Sequence, residues 1–248
     1  MAKIVIDAGH GGEEPGAVYE GRREKDDALR LALAVGDRLE RAGVDVVYTR
    51  TTDVFDSPAE KAAMGNRAEA DYFVSIHRNA MPVPGSASGV ESLVYSASGP
   101  AFLMAENIDR ALERVGFVDL GVKERPNLTV LKRTVPPAVL VEASFIDNEE
   151  DNRLFDERFD QVAAAIAAGI LESLRRAPMY SVQVGAYKSR LAAEDMLRRL
   201  TAEGYPAYLI AEDGYYKARV GAFEVLDNAA AMERRLRAHG YDTFMAEL

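Results

Sequence analysis

The stretch Ile4-Val5-Ile6-Asp7-Ala8-Gly9-His10-Gly11-Gly12 decides how the first two thirds of this chain are read. An apolar β-branched run that stops at glycines predicts a short buried strand with an abrupt end. The glycines on either side of His10 leave its imidazole unshielded and let the backbone turn sharply or approach a ligand closely. In an open α/β sheet, ligands sit outside the carboxyl ends of the strands. Alone, the stretch reads equally well as a glycine-rich turn carrying a surface histidine. The surrounding chain has to separate the two.

Working outward, the same pattern returns. Tyr72-Phe73-Val74-Ser75-Ile76 predicts a second buried strand, with His77 at its end and Arg78-Asn79-Ala80 beyond. The chain has three histidines, and two of them close predicted strands in equivalent positions. A third apolar run, Ala138 to Val141, ends at Glu142. Between the first two runs lie a polar loop from Glu13 to Arg23 and the segment Glu24-Lys25-Asp26-Asp27. A helix follows, with Leu29, Ala32, Leu33, Gly36 and Leu39 on its apolar face, and the acidic residues suit its positive end.

The remaining elements alternate. Val44 to Arg50 predicts a strand, and Ser57-Pro58-Ala59-Glu60 opens a helix with a capping box. Val90 to Tyr95 and Leu128 to Lys132 predict strands, and Pro100 to about Val115 a helix. Phe159, Val162, Ala163, Ile166, Ala167, Ile170, Leu171 and Leu174 draw the stripe of a core helix. Strand and helix in turn give an α/β fold.

His10, His77 and Glu142 therefore share the carboxyl edge of one sheet, with Glu24 beside it. The chain has no cysteine, so a metal here is held by histidine, carboxylate and water. Two imidazoles and one carboxylate are the ligand set of a hydrolytic zinc, and a second, unligated glutamate can carry protons, for which Glu142 is the natural candidate. A net charge of −10 argues against nucleic acid as a partner. No stretch approaches the 18 to 20 apolar residues of a membrane span. The start, Met1-Ala2-Lys3 and then a strand, reads as no signal peptide. The expectation is a protein made in the cytoplasm, or a secreted one whose leader is missing from this sequence.

After Arg175-Arg176-Ala177-Pro178 the chain repeats itself. Tyr180 to Tyr187 matches Tyr216 to Phe223, and Glu203-Gly204-Tyr205 matches His239-Gly240-Tyr241. Each half reads as strand, helix (191–202 and 229–238), strand. The halves predict one four-stranded sheet with two helices on one face. Residues 1–174 and 179–248 are thus expected as two domains, with 175–178 as linker. His239 stands where the first half has Glu203 and is assigned no ligand role.

These residues carry a resemblance. Ile6 to Gly12, Glu24-Lys25, Tyr48 to Arg50, Ala70 to Ala80, Gly89 to Ser92, Pro137 to Glu142 and Phe145 to Asn148 together resemble the zinc-dependent N-acetylmuramoyl-L-alanine amidases of the type 3 family. The resemblance covers about residues 3–174. It implies a twisted mixed sheet flanked by helices, and one Zn²⁺ per chain on His10, Glu24 and His77, with Glu142 as the catalytic acid/base. It further implies hydrolysis of the amide between the muramic acid lactyl group and L-alanine of peptidoglycan. Arg78 departs from the small or apolar residue more usual after the second histidine, and Met64-Gly65-Asn66 from a more usual Ala-Asn pair. Arg78 and Asn79, beside the metal, are candidate substrate contacts. The C-terminal segment resembles the SPOR domain, a ferredoxin-like βαββαβ fold that binds peptidoglycan glycan strands. Gln183, Tyr187 and Arg219 are its candidate glycan contacts. Taken together, the pair resembles the mother-cell-lysis amidases of sporulation. A prophage endolysin, a zinc peptidase or carboxypeptidase on stem peptides, and a wall-binding protein without turnover stand as alternatives.

Overall fold

The computed structural model describes residues 2–174, 179–223 and 226–248. The chain divides into two compact units, Met1–Tyr95 with Met104–Leu174, and Ser96–Leu103 with Arg175–Leu248. The expected linker, 175–178, lies outside the described residues.

The order begins β1 (Lys3–Ala8), β2 (Val18–Tyr19), β3 (Arg22–Arg23), α1 (Glu24–Arg41), β4 (Asp45–Tyr48) and α2 (Pro58–Ala68). It continues with β5 (Tyr72–Asn79), β6 (Glu91–Val94), α3 (Gly99–Val115), β7 (Lys123–Glu124), α4 (Thr129–Arg133), β8 (Ala138–Phe145), α5 (Glu149–Glu157) and α6 (Phe159–Leu174). One six-stranded sheet runs β4-β1-β5-β8-β6-β7. Strands β4, β1, β5 and β8 are parallel, and β6 is antiparallel to β8, so the sheet is mixed.

The two faces of β5 have different neighbours. Phe73 packs toward Gly65 of α2 and joins Val5, Val130, Leu131 and Leu140 in one apolar cluster. Val74, Ile76 and Arg78 point the other way, where Arg78 reaches Asp27 of α1. Helix α6 packs on α1 through the expected stripe, and Val162, Ile166 and Ile170 are wholly buried. Each such side chain contributes roughly 1.5–3 kcal/mol. The capping box at Ser57 forms as expected, with Glu60 on the Ser57 backbone amide at 2.8 Å.

Several expectations are corrected. Residues 128–132 are not a strand but the short helix α4, closed by the Lys132 amide on the Leu128 carbonyl at 2.8 Å. A strand would send the neighbours Val130 and Leu131 to opposite faces, whereas one helical turn buries both. Tertiary packing overrides the strand propensity of the run. The buried face of α1 is Ala28, Leu31, Ala32, Val35, Gly36 and Leu39, while Leu29 and Leu33 are half-buried. Strands β5 and β8 continue past His77 and Glu142, so both residues lie within strands rather than at their ends. Helix α5 went unread, although Asn148 ahead of Glu149-Glu150-Asp151 is a capping signal, and its side chain accepts from the amides of Glu150 and Asp151.

The second unit carries β9 (Tyr180–Tyr187), α7 (Arg190–Ala202), β10 (Ala207–Glu212), β11 (Tyr215–Phe223), α8 (Leu226–Ala238) and β12 (Phe244–Glu247). Its antiparallel sheet runs β10-β11-β9-β12, with α7 and α8 packed on it. This is the repeat anticipated from the sequence, with each half contributing one central and one outer strand. Among the described residues, no helix is long and apolar enough to cross a membrane.

Candidate metal centre

The exit of β1 is built for close approach. A Cβ on Gly9 would lie 2.4 Å from the ring of His77, and one on Gly16 would lie 2.6 Å from both Glu24 and His10. His10 itself takes a left-handed backbone, φ 58°, which is costly for a residue with a side chain. Two buried cations hold it there. Arg50 donates to the carbonyls of Ala8 (3.1 Å), Gly9 (2.8 Å) and Lys25 (2.9 Å). Lys61 donates to the carbonyls of Ala8 and His10. Its charge is balanced by Asp7 at 3.1 Å, which also accepts from Thr49 and Ser75 at 2.6 Å each. Burial would raise the Asp7 carboxyl, but Lys61 and the two hydroxyls outweigh it and hold it below the usual range.

Three side chains then converge. Glu24, the first residue of α1, is 4 % exposed, and its Oε1 lies 3.0 Å from His10 Nε2 and 2.8 Å from His77 Nδ1. The same oxygen accepts from the Arg78 amide at 3.1 Å, while Oε2 accepts from the Ala17 amide at 2.9 Å. The imidazoles stand edge to face, centroids 4.9 Å apart. One ligand atom from each of His10, Glu24 and His77 lies within 4.8 Å of the others. Burial pushes the Glu24 carboxyl up, but hydrogen bonds from both histidines outweigh it and hold the group well below the carboxylate range.

The donor set fits zinc. It supplies two imidazole nitrogens and one ionised carboxylate from three separate elements, in the combination catalytic zinc sites use. Glu14, which the sequence reading passed over, strengthens the fit. Its Oε2 pairs with His10 Nδ1 and its Oε1 accepts from the Gly16 amide at 3.0 Å. An acceptor on Nδ1 fixes the tautomer that leaves Nε2 free as a ligand. The signal was available as a carboxylate four residues after His10, but a glycine-rich loop gives no hint of which way it folds back.

Glu142 is the register partner of His77 on the neighbouring strand. Its Oε2 is buried and has no hydrogen-bond partner among the described residues, an unusual condition for a carboxylate. Burial is the main reason its carboxyl is pushed up to about 7; His77 opposes this, and Glu24 and Glu91 reinforce it. Glu91 is the register partner of Glu142 on β6 and was given no role by the sequence. Asn79 donates to Glu91 Oε1 at 2.9 Å, which places its amide at the edge of this carboxylate pair.

Arg78 does not face the site. Strand alternation sends it to the side opposite His77, where it is 1 % exposed. Its guanidinium donates to Asp27 and Asn152, each at 2.7 Å, and stacks 4.1 Å from the Phe155 ring centre. It joins β5 to α1 and α5 on the face away from the metal centre. In the second unit, Arg219 is 5 % exposed and its guanidinium pairs with Glu212 at 2.9 Å, so its expected role as an open glycan contact is withdrawn. Gln183 and Tyr187 are half-buried, opposite Arg219 and Tyr216 respectively.

Comparison with known proteins agrees with this geometry. Residues 4–172 match the N-acetylmuramoyl-L-alanine amidase family, and residues 178–246 match the SPOR domain. The chain is 35 % identical over 224 residues to the sporulation-specific N-acetylmuramoyl-L-alanine amidase of Bacillus subtilis, covering 86 % of each protein. It is 38 % identical over 185 residues to the endolysin of Bacillus phage SPP1, covering 70 % of this chain and 67 % of the endolysin. The solved structure of the amidase AmiC2 of Nostoc punctiforme superposes with a TM-score of 0.66 at 33 % identity, over 71 % of this chain and 98 % of that one. The chain therefore belongs to the N-acetylmuramoyl-L-alanine amidase family, with a SPOR domain following its catalytic domain.

Proposed function

We propose that this enzyme cleaves the amide between the muramic acid lactyl group and L-alanine, with zinc on His10, Glu24 and His77 and Glu142 as the proton carrier. The observation that carries the reading is the convergence of two imidazoles on one Glu24 oxygen, one strand away from Glu142, whose Oε2 is buried and has no hydrogen-bond partner among the described residues. Zinc bound there supplies Lewis-acid polarisation of the scissile carbonyl and activation of water. Glu142 accepts a proton from the attacking water at Oε2 and returns it to the amine of L-alanine as the C–N bond breaks. A carboxyl poised near 7 is suited to both transfers at neutral pH. Glu14 holds the His10 imidazole in place through Nδ1, while Arg50 and Lys61 hold the loop that presents His10.

The test is digestion of purified peptidoglycan. The expected products carry free N-terminal L-alanine, and termini from within the stem peptide would identify a peptidase instead. Glu142→Gln is expected to keep its zinc and to lose hydrolysis by about 10²–10⁴-fold. Unchanged turnover in that variant would overturn the role given to Glu142.

The setting we infer is lysis of the mother-cell wall in sporulation, with the SPOR domain holding glycan strands stripped of peptide. The match to the sporulation-specific relative, which runs across both domains, supports this setting. The phage relative supports lytic release as a second reading. Timing of expression separates them: appearance late in sporulation favours the first, and appearance only on prophage induction favours the second.

A further inference from the structure

Arg78 and Asp27 are buried charges to which the chemistry above gives no part, yet one follows His77 directly and the other stands one helical turn after Glu24. We propose that the Arg78–Asp27 pair is a positioning device for the metal centre: it fixes the spacing of His77 and Glu24 and so sets the affinity for zinc. The assignment rests on the zinc reading above.

Strand β5 and helix α1 are joined twice. On one face of the strand, His77 Nδ1 meets Glu24 Oε1 at 2.8 Å. On the other face, Arg78 Nη1 donates to Asp27 Oδ2 at 2.7 Å. Glu24 and Asp27 are three residues apart in α1, so they stand on the same side of the helix. Both links therefore span the same two elements, and the length of one constrains the length of the other.

Glu24 opens α1, where a helix has least support of its own. Among the described residues, the N-cap Arg23 makes no side-chain cap hydrogen bond, so the first turn depends on ties from outside. Lys25 donates to the Gly12 carbonyl and to Asp53, each at 2.6 Å, which ties the turn to the loop of His10. Arg78, through Asp27, ties it to the strand of His77. The segment that carries each histidine thus has its own cationic link to the turn that carries Glu24.

The pair is also held rigidly. Arg78 Nη2 donates to Asn152 at 2.7 Å and to the Phe145 carbonyl at 3.3 Å. Asp27 is gripped a second time by Arg22, at 2.6 and 3.2 Å, and Arg22 in turn by Asp156, at 2.8 and 2.9 Å. Asp156, Arg22, Asp27 and Arg78 alternate in sign, so each buried charge has its counter-charge. Ligands already held at their spacing lose less freedom when the metal binds, and that difference appears as affinity. Because Arg78 stands where a small or apolar residue is more usual, this tie belongs to this chain rather than to its fold.

The test measures zinc affinity by competition with a chromophoric chelator, and the stability of the metal-free protein by urea unfolding. Arg78→Met keeps an apolar stem and leaves Asp27 paired with Arg22. Its zinc affinity is expected to fall at least about tenfold. Asp27→Asn should act in the same direction, and in the double variant the two losses should overlap rather than add, because both break one tie. Asn152→Ala removes the partner of Arg78 on α5 but keeps the tie, so it should lower stability and leave zinc affinity at the wild-type value. Unchanged affinity in Arg78→Met, or losses that add in the double variant, would overturn the proposal. An Asn152→Ala protein that loses affinity as much as Arg78→Met would overturn it too, since stability alone would then set the affinity. Should Arg78→Met not fold, Arg78→Lys, which keeps the charge but not the reach, and Asp27→Asn decide by the same comparison. A wild type that binds no stoichiometric zinc would instead overturn the zinc reading itself.

Discussion

Two histidine sites in this protein share a ring geometry and differ in everything else. His10 and His77 stand edge to face with centroids 4.9 Å apart, and Tyr205 and His239 do the same at 5.8 Å. At the first, both imidazoles aim a nitrogen at one buried carboxylate oxygen. At the second, His239 Nδ1 is taken by the Tyr205 hydroxyl at 2.5 Å, while Tyr241 donates to Glu203 at 2.7 Å. Each repeat's tyrosine thus bonds the residue that opens the other repeat's Gly-Tyr pair, a reciprocal contact that ties the halves together. A ligand site needs donors that converge on a common point. A structural site closes each polar atom on its own partner.

Breaking the first site should have the largest effect. His77→Ala removes one of two imidazoles, and we expect zinc content to fall from about one per chain to none, with hydrolysis falling to background. Metal analysis after gel filtration reads this directly, and a retained stoichiometric zinc would refute the ligand set. Glu14→Ala should be milder. It leaves all three ligands but frees His10 Nδ1, and a lost outer partner lowers metal affinity about 10–100-fold. Competition with a chromophoric chelator measures the change, and Glu14→Gln, which keeps an acceptor oxygen, should recover part of it.

Another buried carboxylate sharpens the contrast. Among the described residues, Asp109 on α3 has no imidazole or cation hydrogen-bonded to it; it accepts from the amide and hydroxyl of Ser92 at 3.1 and 2.5 Å. Burial therefore prevails and pushes its carboxyl up to about 7. With the folded value above the unfolded one, the native state holds the extra proton, and stability falls as pH rises from about 4 to 7. Asp109→Asn should remove that fall, leaving the variant more stable at pH 8 by on the order of 2 kcal/mol. Urea unfolding across this pH range checks the sign, and an unchanged slope would mean that Asp109 stays ionised.

The smallest effect belongs to the second histidine site. His239→Phe keeps the edge-to-face packing on Tyr205 and loses one hydrogen bond, so we expect a loss of about 1 kcal/mol in urea unfolding and the wild-type zinc content. A loss of zinc there would erase the distinction between the two sites.

The sequence by itself determined the alternation of strand and helix, the repeat of the second unit and the residue types at the metal centre. Those features are written in local periodicity and in glycines flanking a histidine, and they need no knowledge of distant contacts. Tertiary structure alone decided the rest. It turned Leu128 to Lys132 into a helical turn, because one face had to bury both Val130 and Leu131. It sent Arg78 away from the site although its neighbour His77 faces it, because β5 runs on to Asn79 and keeps alternating. It also brought Glu14 onto His10 and left Glu142 Oε2 without a partner, and both depend on how loops and strands meet across the sheet edge. The stretch from Ile4 to Gly12 names the ligand. The buried charges of Asp7, Arg50 and Lys61, contributed by three separate segments, are what hold that ligand in position.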